Sequence, residues 1–385
     1  MDATFIPSRC LRHWIADIPT PCYVYDAQGL RTQTESLLRA FSDYPGFAVR
    51  FPVRMNPNPA VLRVLREAGC GVECGNAAEL ALAKDCGFHG QAVLYAPVIP
   101  EQPGQALAME LDAAWLVHGP HTLPPAPPKR LYLCCSPENA LVSEGTRICN
   151  VGRSKFGMDA DTLREVAEQY RESAQAELGL AFRAGDNQLR PNLAPAVLRL
   201  LLEQAALLKE KAGVHIRFFD WNGCPGIRHP DGAEAPNVST LAARLSPLLA
   251  EANGVSLSLT AGRFLAARAG ILLTRVCAVV PRTRSAIYAD CSFAQFPRPL
   301  LASPHPVSVM GKKSETGRQL ADIFGCLPDL RDRLAERVLL PPVKPGDCLI
   351  IHNTGADGFS MSSRYGGMPV CEEYLFCEDG SFRRI

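Results

Sequence analysis

Three arginines and three proton-carrying side chains fall at the ends of short apolar runs in this chain: Arg54, Arg183 and Arg263, with Glu73, His118 and Asp186. A guanidinium presents a planar fork of donors that matches a carboxylate or a phosphate, and it stays charged at any physiological pH. A carboxylate or imidazole beside such a fork can act as acid or base. Asn56, Ser136, Asn222, Gly223 and Thr260 end similar runs and add neutral polar groups. Each alone can be a solvated or internally paired residue. Converging on one rim, they describe a site for a small anionic ligand such as a carboxylate or phosphate.

No metal site is expected. The 15 cysteines are odd in number and irregularly spaced, which argues against a disulfide framework. Cys70 with Cys74, or Cys134 with Cys135, lacks a second pair or spaced histidines, so these read as reduced core thiols. The formal net charge of +1 offers nothing to steer the chain toward nucleic acid or an anionic membrane. No stretch has the apolar length of a membrane span. The opening MDATFIPSRCLRHW lacks a basic-then-apolar signal, so a cytoplasmic location is expected.

Elements that could carry the rim residues recur from residue 48. The runs 48-AVRFPVRM-55, 71-GVECG-75, 92-AVLYAPVI-99, 114-AWLVHG-119, 131-LYLCCS-136, 178-LGLAFRA-184, 216-IRFFDWN-222 and 255-VSLSLTA-261 are apolar with little alternation. Such runs suit parallel strands covered on both faces. Helical spacing separates them over 60–67, 77–84, 161–174, 195–211 and 238–251, and a helix begins at Phe264 after the last run. Eight such units predict a TIM-type (β/α)8 barrel, with chemistry at the C-terminal strand ends. The stretch GPHTLPPAPPKR after His118 predicts a loop, because proline removes donors and forbids a regular helix. Beyond residue 271, runs at 274–280, 285–290, 307–311, 348–353 and 371–376 predict a mostly β domain.

The segments 20-TPCYVYD-26, 53-VRMNPNPAVLRVL-65, 71-GVECGNAAEL-80, 154-SKFGMD-159, 262-GRFLAARAG-270, 298-RPLL-301 and 346-GDCLIIHNTGA-356 follow in one order. Together they resemble the fold-type III PLP-dependent decarboxylases acting on diaminopimelate, ornithine or arginine. The resemblance covers about residues 18 to 378. It implies an alanine racemase/ornithine decarboxylase-like architecture: an N-terminal strand segment (1–28) packing with the C-terminal β domain (272–385), and a barrel between them (29–271). It also implies a homodimer with a shared active site, and PLP as the cofactor.

Several positions depart from the family pattern. The Schiff-base lysine falls on Arg54, whose delocalised guanidinium has no free lone pair to attack an aldehyde. The ring-stacking histidine falls on Arg183, and the phosphate-binding glycine loop reads 222-NGCPG-226, keeping Asn222, Gly223 and Gly226. In 260-TAGR-263 the acid that pairs with the pyridine nitrogen falls on Thr260, while Gly262 and Arg263 match. The phosphate-holding tyrosine falls on Asp357, an anion that would repel phosphate. Glu73 and Arg298 match. Asp332 takes the place of the substrate-side aspartate, and Cys326 lies two residues before the position of its partner cysteine.

These departures predict a diverged enzyme without standard Schiff-base chemistry, and the resemblance implies an amino acid or amino-acid-derived anion as its ligand in a biosynthetic pathway of amino-acid metabolism. Arg54, Glu73, Arg183, Asp186 and Cys326 are then the catalytic candidates. Arg298 and Asp332 are the substrate-binding ones. Two alternatives stand beside this reading. One is a PLP-dependent decarboxylase holding its cofactor non-covalently, and the other is a binding or regulatory pseudoenzyme.

Overall fold

The computed structural model describes residues 6, 8–136, 142–143, 146–147, 154–171, 173, 176–183, 185, 187–189, 192–223, 225–228, 235, 237–252, 254–301, 304–312 and 317–385. The chain divides into two compact units, one made of Gln33–Ile227 and Glu234–Phe264, the other of Met1–Thr32, Arg228–Ala233 and Leu265–Ile385.

The first unit is a closed barrel of eight parallel strands in sequence order. They are Ala48–Pro52, Gly71–Cys74, Val93–Tyr95, Ala114–Val117, Arg130–Cys134, Glu177–Arg183, Ile216–Asn222 and Ser256–Thr260. Each of the eight expected runs supplies one strand. Their residues are buried almost without interruption, because one face lines the barrel and the other meets helices. Proline sets some ends. Pro52 has no N–H to extend the ladder, so the first strand stops there and Val53–Met55 forms a 3-10 turn. Arg54 therefore stands in the turn beyond the strand, not on the strand itself.

Asparagines start several of the helices that hold these strand ends. Asn58 accepts the Ala60 N–H at 3.0 Å to open Pro59–Glu67. Asn76 accepts the Glu79 N–H at 2.9 Å, and Glu79 returns the favour to the Gly75 N–H at 2.9 Å, a reciprocal cap on Ala77–Asp85. The proline-rich stretch after His118 holds only the 3-10 turn Pro120–Thr122. Helices Ala27–Ala40 and Gln102–Glu110 were not expected.

The second unit is a nine-stranded mixed sheet among the described residues. Cys22–Asp26 lies within it, antiparallel to Gly270–Val280 and parallel to Glu372–Phe376. Cys22, Val24, Ile271, Leu273 and Ile350 build its core with Leu11 and Ile15, and Trp14 stacks on Phe382 at 4.3 Å. Among the described residues no helix is long and apolar enough to cross a membrane. Cys70, Cys74, Cys134 and Cys135 are all buried thiols.

Candidate functional site

Parallel register brings the barrel's polar residues into layers. Arg183, Asn222 and Thr260 are Cα partners across adjacent strands, and two residues earlier Ala181, Asp220 and Ser258 form the layer beneath. Side chains two apart on a strand share a face, so both layers line the barrel interior.

The lower layer is sealed. Arg50 donates to Asp220 Oδ1 at 3.2 Å and to Ser258 Oγ at 2.8 Å, and Ser258 donates to the same carboxylate oxygen at 2.7 Å. Arg50 and Asp220 are 2% and 0% exposed, and Arg50 also reaches the Gln91 carbonyl at 3.3 Å. Burial pushes the Asp220 carboxyl upward, against the pull of Arg50 and Arg183. Sequence reasoning missed this cluster. Its signal was three polar residues, Arg50, Asp220 and Ser258, each standing between apolar neighbours within a run.

The upper layer opens to the rim. Glu73 Oε1 accepts from Arg54 Nη1 at 2.9 Å, and its Oε2 accepts from Arg183 Nη1 at 2.5 Å. Glu73 and Arg183 are buried, whereas the Arg54 side chain is 48% exposed. Burial would raise the Glu73 carboxyl, but Arg183 and then Arg54 outweigh it and hold it at about 2. Glu73 is thus a fixed anion at neutral pH. His118, directly after the fourth strand, is buried and rests on Phe156 at 4.8 Å. Burial, reinforced by Arg183, lowers its imidazole to about 3, so it is neutral near pH 7. His118 Nδ1, Asn222 Oδ1 and Thr260 Oγ1 are buried with no partner among the described residues. Arg263 is also buried.

The loop after the seventh strand is braced by the chain itself. Gly223 donates its N–H to the Thr260 carbonyl at 3.2 Å, and Gly226 donates to the Gln188 carbonyl at 3.0 Å. Gln188 in turn donates its N–H to the Gly223 carbonyl at 2.8 Å. Ile227 N–H donates to Asn187 Oδ1 at 2.7 Å, and Asn187 Nδ2 donates to the Ile227 carbonyl at 3.0 Å. A Cβ on Gly226 would sit 2.7 Å from the Asn187 carbonyl carbon, so this close approach requires glycine. Gly262 faces Met55, whose Sδ would lie 1.9 Å from a Cβ there. Asp186 and Cys224 lie outside the described residues.

The remaining candidates belong to the sheet unit. Arg298 Nη1 lies 3.9 Å from Asp357 Oδ2, so a cation and an anion expected to meet ligand groups face each other. Asp357 adopts a left-handed φ of 58°. Buried Asp332 accepts the N–H groups of Phe293 and Leu327, both at 2.7 Å, and thereby braces its own loop. Cys326 is exposed, and burial followed by nearby Asp332 raises its thiol.

These residues do not fit a pyridoxal phosphate held in the manner the resemblance implies. Position 54 offers no amine, Thr260 offers no counter-charge, and the N–H groups of Gly223, Gly226 and Ile227 are already committed. Pro225 has none to give.

A family profile described as pyridoxal-dependent decarboxylase, C-terminal sheet domain, nevertheless matches residues 22–355. Protein TabA of Pseudomonas amygdali pv. tabaci is 25% identical over 373 residues, covering 95% of this chain and 88% of the relative. Diaminopimelate decarboxylase of Methanothermobacter thermautotrophicus is 28% identical over 373 residues, covering 93% and 87%. The crystal structure of Helicobacter pylori diaminopimelate decarboxylase complexed with L-lysine superposes with a TM-score of 0.86. That alignment covers 97% of this chain and 95% of the other at 21% identity, a likeness of fold. The chain belongs to the pyridoxal-dependent decarboxylase family of the ornithine, diaminopimelate and arginine type.

Proposed function

We propose that this family member binds an amino-acid-derived anion at the barrel mouth and acts on it without an internal Schiff base. The observation that carries the reading is the Arg54–Glu73–Arg183 bridge. Two guanidinium groups share one carboxylate, leaving donors over, and Arg54 turns half its side chain to solvent. Nearby Glu79 feels the Arg54 charge, but its oxygens hydrogen-bond the Gly75 N–H and the Asn76 amide rather than the guanidinium. A ligand carboxylate would complete the pairing by a bidentate contact. Asn222 and Thr260 would orient its polar groups. On the same reading the protein is a cytoplasmic homodimer of amino-acid biosynthesis.

Thermal unfolding in phosphate-free buffer tests this. Glutarate and L-glutamate should raise the melting temperature of the wild type and not of Arg54→Ala. Equal responses of the two proteins would refute the Arg54 site. Treatment with borohydride after incubation with PLP should leave no adduct at position 54.

A second reading, a binding protein without catalysis, draws support from one observation. The rim acid held at about 2 and the imidazole held at about 3 both titrate far from neutrality, a poor setting for general acid–base work. A ligand recovered unchanged after long incubation favours it; a converted ligand favours the enzyme.

A further inference from the structure

We infer that Asn187 and Gln188 stand where a phosphate would meet the loop after the seventh barrel strand, making this site selective for phosphate-free carboxylates. The inference rests on the proposed anion site and adds what kind of anion it takes. A phosphate cradle works by aiming unpaired backbone N–H groups at one point. Here the described N–H groups of the loop are spent within the barrel unit: Gly223 on Thr260, Gly226 on Gln188 and Ile227 on Asn187.

The bracing is two-sided. Asn187 both accepts from and donates to Ile227, and Gln188 both accepts from Gly226 and donates to Gly223. Four hydrogen bonds thus tie two short segments that lie about 40 residues apart in sequence. Opening the loop for a phosphate would break them and strand buried backbone groups. Gly226 records the same fact sterically, because it is the Asn187 backbone and not open space that a side chain would strike. Asn187 has a left-handed φ of 48°, a conformation asparagine tolerates and glycine accepts freely. Asn187→Gly therefore removes the side-chain amide while leaving its backbone at ease.

The test compares pyridoxamine 5′-phosphate with pyridoxamine, which carry no aldehyde to react with lysines, and inorganic phosphate with glutarate. Each is titrated by calorimetry into wild type and Asn187→Gly. The wild type should bind the two pyridoxamines equally weakly. Returning one N–H to a phosphate should raise the affinity of Asn187→Gly for pyridoxamine 5′-phosphate about tenfold, and that for pyridoxamine not at all. A wild type that prefers the phosphorylated form by tenfold or more overturns the inference, and so does an Asn187→Gly that gains no preference. Should that variant fail to fold, the wild-type ratio decides. Glutarate reports on Arg54 separately, so its failure alone strikes the proposed function and leaves the phosphate comparison readable.

Discussion

Two arginine–carboxylate clusters lie in successive layers of the barrel, and they differ in stoichiometry and in access. In the lower one, Arg50 and Asp220 pair one to one with Ser258, sealed from water. In the upper one, Arg54 and Arg183 share Glu73, and Arg54 reaches solvent. A buried one-to-one pair leaves no net charge to offer and fixes geometry, even though Arg50 Nε and Asp220 Oδ2 have no partner among the described residues. An unbalanced cluster with one exposed member keeps charge available. On this contrast the lower layer holds the barrel in shape, and the upper layer is the proposed site for an anion.

The sharpest way to break this contrast is to remove the lower carboxylate. Asp220→Ala leaves the Arg50 charge buried and unpaired, which should cost about 3–5 kcal/mol in denaturant unfolding. Glu73→Gln should cost less, about 2–3 kcal/mol, because Arg183 loses its buried partner while Arg54 can turn to water. It should also tighten glutarate binding by freeing both guanidinium groups. Looser glutarate binding would instead mean that Glu73 orients the arginines rather than competing for them.

Acid should distinguish the rim groups. A histidine ordinarily titrates near 6.5 and His118 is held at about 3, so the unfolded chain takes up a proton that the folded one refuses. Stability should therefore fall as pH drops below about 6.5, and His118→Asn should flatten that slope. Buried His352 in the sheet unit, lowered to about 4, retains a similar dependence of its own. Glu73 adds a second window: an acid usually near 4.3 is held at about 2, so its contribution is lost between those values as pH falls. A stability flat from pH 7 to pH 5 would contradict the buried neutral imidazole. The smallest effect on stability belongs to Arg54→Ala, under about 1 kcal/mol for a half-exposed ion pair. Its loss of glutarate response should nonetheless be complete.

All eight barrel strands were legible because burial on both faces writes each as an apolar run. Arg54, Glu73 and Arg183 were legible because they end or follow those runs, and the structure joins them. The lower cluster was not, since a charged residue inside a run such as AVRFP points to a partner that only barrel closure identifies. Strands Gln319–Phe324 and Arg333–Leu340 escaped notice for a related reason. The second is half exposed, with charged residues interrupting its pattern. Asn187 against Ile227 leaves no pattern at all, being a contact of one side-chain amide with the backbone of a second irregular segment.

The shared carboxylate has a consequence for how this site can change. Glu73 binds positions 54 and 183 into a single unit, so a lysine placed at 54 would arrive beside a buried carboxylate already paired with a second arginine. That anion favours the protonated ammonium over the neutral amine a nucleophile needs. A lysine at position 54 alone would leave Thr260, Asp357 and the braced loop after the seventh strand as they are. The rim therefore has to change as a set: the amine is one of several groups that differ from the family pattern, and supplying it alone leaves the others in place.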